Sequence, residues 1–169
     1  DMSRIESGTR GVEREICHMA DIVPDAVRRT LGSRHGFDRA VNETIPSDLP
    51  EMYADPGQLG RVLDNLLSNA LKYTAGNVEV VNSYNSGTDT IRTEVIDEGE
   101  GIPSSQHGEI FDKFYRLREG NSRGREGSGL GLAICKSVIG AHGGKIGVKN
   151  ISKGGAMFWF ELPRDPDQA

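Results

Sequence analysis

Residues 55–74 read DPGQLGRVLDNLLSNALKYT, and the spacing within them decides the fold. Asp55 is a fair N-cap, and Pro56 stands at the first helical position, where its missing N–H costs nothing. On a wheel of ~100° per residue, Leu63, Leu66, Leu67 and Ala70 fall together on one side. Asn65, Asn69 and Lys72 fall in a narrow arc on another, at i, i+4 and i+7, and Gln58 and Arg61 extend that line. Asparagine is a poor helix former, so two of them one turn apart need a reason.

The plain reason is a solvated outer face. The alternative is convergence on one ligand. Amide oxygens suit a hard cation such as magnesium, and lysine suits phosphate as a point charge. Tyr73, one position on, could offer a ring to a base.

Around this helix the chain reads as alternating elements. A short helix is expected over about 21–34, capped by Asp21, with Ile22, Ala26, Val27 and Leu31 as its apolar stripe. Strands are expected at 37–44, 51–54, 77–84 and 89–97, the last two joined by a turn at Asn85–Ser86–Gly87. A polar stretch fills 98–126. A helix then starts near Gly129 and stops at Gly143–Gly144, and a hairpin of KIGVKN and GAMFWFELP closes the domain. The order predicts helices layered on one face of a mixed sheet. The opening DMSRIESGTRG reads as the last turns of a helix, with Gly8 and Gly11 as stop signals.

Composition bounds the function. The chain has 169 residues, 36% hydrophobic and 27% charged, enough for one α/β domain with a core. A net charge of −5 argues against nucleic acid or direct contact with an anionic membrane. Cys17 and Cys135 form no CxxC pair, so neither a disulfide framework nor a structural zinc site is expected, and a reducing cytoplasm is the default. No apolar run approaches the ~20 residues needed to span a bilayer.

Two glycine clusters carry the remaining signal. TEVIDEGEGIP runs from a strand into Asp97, Gly99 and Gly101. A tight turn would explain these residues. So would a ligand that approaches the backbone closely, with a buried Asp97 seeking a donor such as the exocyclic amine of adenine. GSGLGLAI, residues 127–134, fails the G-x-G-x-x-G pattern at Leu132 or Ile134, and no P-loop is present. What remains is a glycine-rich entry to a helix N-terminus, a generic anion site. Between the clusters lie Lys113, Arg116, Arg118, Arg123 and Arg125 against Glu119 alone, with glycines interspersed. That reads as a mobile cationic lid, or more plainly as a solvated loop.

Together these stretches resemble the ATP-binding catalytic domain of sensor histidine kinases, in the Bergerat-fold (GHKL) superfamily shared with gyrase B, a heat-shock chaperone and MutL. NLLSNALKYT matches the family's N box, DEGEGIP its first glycine box, IFDKFYR its F box and GSGLGLAI its second glycine box, in the family's order. The resemblance covers about residues 15–163. It implies an α+β fold, a two-layer α/β sandwich whose mixed, mostly antiparallel sheet of about five strands carries about three helices on one face. It divides the chain into the tail of a preceding dimerisation and phosphoacceptor helix (1–14), the catalytic domain (15–165) and a C-terminal tail (166–169).

The resemblance also implies roles. Asn69 would bind magnesium with Asn65 in support, Lys72 would contact phosphate, and Tyr73 would lie against the adenine. Asp97 would accept from the adenine amine, while Gly99, Gly101 and Ile102 close around the base. Phe111 and Phe114 would anchor the lid, and Arg116 would reach the γ-phosphate. Gly127, Gly129, Leu130 and Gly131 would wrap the triphosphate. Asn65, Lys72 and Arg116 would be the catalytic set, and ATP and Mg2+ the cofactors. The implied partners are the dimerisation domain with its histidine and the receiver domain of a response regulator. His18, His35, His107 and His142 lie in no phosphoacceptor context. Glu98 and Glu100 stand where asparagine and proline are common in the family, and little effect is expected from them. Hydrolysing clamps of the gyrase or MutL type carry a glutamate where Asn65 stands, which favours transfer over hydrolysis. A non-catalytic ATP-binding module and an anti-sigma-factor serine kinase are the other rivals.

Overall fold

A computed structural model describes residues 11–33, 39–113 and 131–165. The helix Pro56–Tyr73 forms as its period requires. Asp55 Oδ1 accepts the N–H of Gln58 and caps it. Leu63, Leu66 and Leu67 are completely buried and Ala70 nearly so.

In chain order, the elements are β1 (Glu15–Cys17), α1 (Met19–Leu31), β2 (Val41–Thr44), β3 (Met52–Ala54), α2 (Pro56–Tyr73), β4 (Val78–Asn85) and β5 (Thr90–Asp97). A single 3-10 turn at Ser104–Gln106 follows, then α3 (Gly131–Ala141), β6 (Lys145–Asn150) and β7 (Ala156–Pro163). Five strands form a mixed sheet in the order β2-β4-β5-β7-β6. Only β2 runs parallel to its neighbour, β4. β1 and β3 make a separate two-stranded ribbon.

Alternation on the central strands decides which face is covered. Val78, Val80, Ile91, Val95, Phe158, Phe160 and Leu162 are buried against the helices, while their neighbours face outward. The result is the expected two-layer α+β sandwich, with α2 packed between α1 and α3 over β5. In the β4–β5 turn, Asn85 Oδ1 accepts the N–H groups of Gly87 and Thr88, the local bond that makes asparagine a turn former.

Three expectations need correcting. α1 starts at Met19, not after an Asp21 cap; His18 holds the N-cap position and Asp21 lies in the first turn. The reason is packing: Met19 is fully buried, so the apolar stripe extends a turn further back than the polar signal. α1 ends at Leu31 with Gly32 after it. β1 was not expected, because three residues show no period. β2 is shorter than 37–44, and positions 37 and 38 lie outside the described residues. So do 1–10, most of the expected helical tail, and 166–169.

The domain is tied at its entry by one buried histidine. Asp55 N–H donates to His142 Nε2 at 3.1 Å, which leaves Nδ1 to donate to Val138 O at 2.8 Å. Glu13 N–H reaches Asp55 Oδ2 and Arg14 Nη2 reaches Ala141 O. His142 is 2% exposed, and burial pushes it below its ordinary 6.5; the Val138 bond opposes this, Arg14 adds to it and Asp55 counters it. The unfolded chain therefore takes up a proton first as pH falls. The stability this neutral imidazole contributes is complete above its ordinary value and is lost as pH falls toward the lowered one. Thermal melts at about pH 7.5 and 5.5 should show a smaller pH-dependent loss in His142→Asn than in the wild type. Equal losses would contradict the assignment.

Candidate active site

The described part of the site comprises α2, the start of α3 beside it and the loop after β5. Asn65 Nδ2 donates to Arg61 O one turn back, at 3.1 Å. This turns its Oδ1 toward the first residue of α3: a Cβ on Gly131 would lie 3.1 Å from it. Residue 131 can approach so closely because it is glycine. Beneath this contact Cys135 is fully buried, and burial pushes its thiol up to about 12, with a hydrogen bond to Asn65 pulling the other way. The protonated thiol lies 3.8 Å from Val62 O as a donor. The polar stripe therefore divides: Gln58 is buried, Asn65 and Asn69 are half-buried, and Arg61 and Lys72 are exposed.

The β5 loop is braced from the far hairpin. Asp97 is 1% exposed, and its Oδ1 accepts the N–H of Gly99 at 2.9 Å and of Ala156 at 3.3 Å. Gly101 has φ +75°, a conformation that glycine adopts without penalty. Asn150, at the end of β6, holds the next residue at both ends: it accepts Ile102 N–H at 2.8 Å and donates to Ile102 O at 2.6 Å. Ile102 itself is in the core, so its side chain anchors the loop. Gly155 passes against Asp97 so tightly that any Cβ would overlap the Asp97 carbonyl.

Sequence reasoning missed Asn150 and the Gly154–Gly155 turn. The glycine pair was visible only as a turn signal; it is the antiparallel β5–β7 pairing that carries it to Asp97. Glu98, from which little effect was expected, accepts the Asn77 N–H at 3.2 Å. Phe111 is buried, edge-on to Phe158 with centroids 6.3 Å apart. Phe114, Arg116, Gly127, Gly129 and Leu130 lie outside the described residues, as do the lid and the Tyr73 side chain.

The donors present fit one kind of metal. Among the described residues, no group of three or more His, Cys, Asp or Glu could hold an ion. Asn69 and Asn65 offer neutral amide oxygens on one helix face. That set suits a hard ion that arrives with phosphate oxygens and water, as magnesium does, and not zinc.

An amide-lined helix, a braced aspartate loop and a glycine-led helix are the parts that an ATPase-type nucleotide site would use. The chain belongs to the histidine kinase-, DNA gyrase B- and HSP90-like ATPase family, whose model matches residues 54–166. It is similar to the sensor protein KdpD of Clostridium acetobutylicum, 34% identical over 165 residues, 97% of this chain and 18% of KdpD. It is also similar to the adaptive-response sensory kinase SasA of a Nostoc species, 41% identical over 128 residues, 75% of this chain and 31% of SasA. The chain thus spans less than a third of either relative. Among solved structures, full-length ShkA in complex with AMPPNP superposes with a TM-score of 0.81 at 29% identity, over 95% of this chain and 33% of that one. No helix among the described residues is long and apolar enough to cross a membrane.

Proposed function

We propose that this chain is the cytoplasmic catalytic domain of a sensor histidine kinase. It binds Mg·ATP between α2 and the two glycine boxes and donates the γ-phosphate to a histidine on a dimerisation domain. The phosphate then passes to an aspartate of a response regulator. Residues 15–165 are the catalytic unit, and 1–14 lead into it. The observation that carries the reading is the closeness of Asn65 to Gly131, where an added Cβ would lie 3.1 Å from Oδ1, because it brings the N box beside the second glycine box. The AMPPNP held by ShkA supports ATP as the ligand.

The chemistry follows from the side chains. Asp97, buried and pinned, accepts the adenine amine. Lys72, exposed at the end of α2, offsets phosphate charge, and Arg116 from the lid does the same at the γ-phosphate. Asn69, with Asn65 in support, would hold magnesium, which supplies charge neutralisation on the phosphates. A histidine nitrogen then bonds to the γ-phosphorus as the bond to the β–γ bridging oxygen breaks and ADP leaves. Asn65 cannot deprotonate water, so hydrolysis is slow.

Radiolabelled ATP tests this. The chain alone should bind nucleotide without labelling itself. Adding a histidine-bearing hairpin domain from the same protein should give a weak, acid-labile, base-stable product, weak because the covalent link that raises effective concentration is absent. Replacing the hairpin histidine should abolish it. Stoichiometric labelling of the chain alone would overturn the assignment, and fast turnover alone would favour a hydrolysing clamp.

A further inference from the structure

One peptide group beside the site is gripped at both ends by opposite charges. It is the unit between Gly76 and Asn77. The Arg39 guanidinium, from the segment before β2, donates to its carbonyl through Nη2. Its N–H donates to Glu98 Oε2 at 3.2 Å, and Asn77 Nδ2 reaches Glu98 Oε1 at 3.4 Å. Arg39 Nη1 also takes the carbonyls of Leu71 at 3.0 Å and Thr74 at 2.6 Å. These are carbonyls at the end of α2, where a helix lacks internal partners and its dipole is negative. Residue 76 is glycine for a local reason: a Cβ there would lie 2.7 Å from Glu98 Oε2 and 2.9 Å from Glu98 Cβ. Thr74 Oγ1 completes the turn by accepting Gly76 N–H.

The geometry points to Arg39 and Glu98 as a positioning pair for the nucleotide site. The turn they grip follows directly on Lys72 and Tyr73, and Glu98 follows directly on Asp97. One side of the site is therefore fixed to the other through a single peptide, and the pair sets the distance between the Lys72 end of α2 and the Asp97 loop. Neither residue touches the nucleotide in this account; both act through the backbone. The inference rests on the nucleotide reading above.

Calorimetric titration of the chain with ADP, paired with thermal melts, tests it. Arg39→Met should weaken ADP binding about tenfold, the scale of a lost charged hydrogen bond. Arg39→Lys, which keeps a cation but lacks the planar fork whose two nitrogens reach these carbonyls, should recover part of that loss. Glu98→Ala should also weaken binding, and the double variant should be little worse than Arg39→Met, because both residues hold the same peptide. Wild-type affinity in Arg39→Met, even with a lowered melting temperature, would reduce Arg39 to a helix cap and overturn the proposal. So would an Arg39→Lys protein that folds but binds no better than Arg39→Met, or losses that simply add. Failure of the unaltered chain to bind ADP would overturn the nucleotide reading itself, and the positioning role with it.

Discussion

Replacing Asp97 by alanine will weaken ADP binding by about 1.5–3 kcal/mol, the range for a charged hydrogen-bonding partner. The motive is position. The carboxylate sits at the end of a central strand, 1% exposed, at the mouth of the glycine loop. Alanine also deletes the acceptor for Gly99 and Ala156, so part of the loss is loop disorder. Asp97→Asn separates the two effects. It keeps one acceptor oxygen for the loop and turns the other position into a donor that confronts the adenine amine. Calorimetric titration should find both variants weakened. Unchanged affinity in both would remove Asp97 from the site.

An alanine at Asn69 should lower phosphotransfer to the histidine about a hundredfold, the scale of losing one group that stabilises developing charge. Its amide shares the helix face with Asn65 one turn away. The loss should appear with magnesium present, while ADP binding without magnesium stays near wild type, because the adenine contacts are untouched. Transfer at the wild-type rate, measured with the hairpin domain in trans, would exclude Asn69 as a metal ligand.

How much of this could be read from the chain depended on sequence distance. α2 was legible from end to end because its cap, its proline and its period all agree. β4, β5 and the last hairpin were legible to within a residue or so, because alternation and glycine turns mark them. β1 was not, since three residues carry no period and its partner lies at Met52–Ala54. The same holds for the site. Asn65, Asn69, Asp97 and Gly101 announce themselves as residues out of place in a helix or clustered after a strand. Asn150, Gly155 and Arg39 do not, because each acts on backbone tens of residues away that only the folded sheet brings near. Glu98 shows the limit most clearly. It looked like a neutral departure, and its carboxylate holds the turn after α2.

The central claim is that one nucleotide lies between α2, the β5 loop and the start of α3. Amide chemical-shift mapping of the isotope-labelled chain during titration with AMPPNP and magnesium tests it most directly. The account predicts one saturable site. The largest shifts should fall at Asn65–Tyr73, Asp97–Ile102 and 127–134, with the first group diminished when magnesium is withheld. Saturation that leaves those three stretches unmoved, or that moves the outward face of β6 and β7 instead, would contradict it.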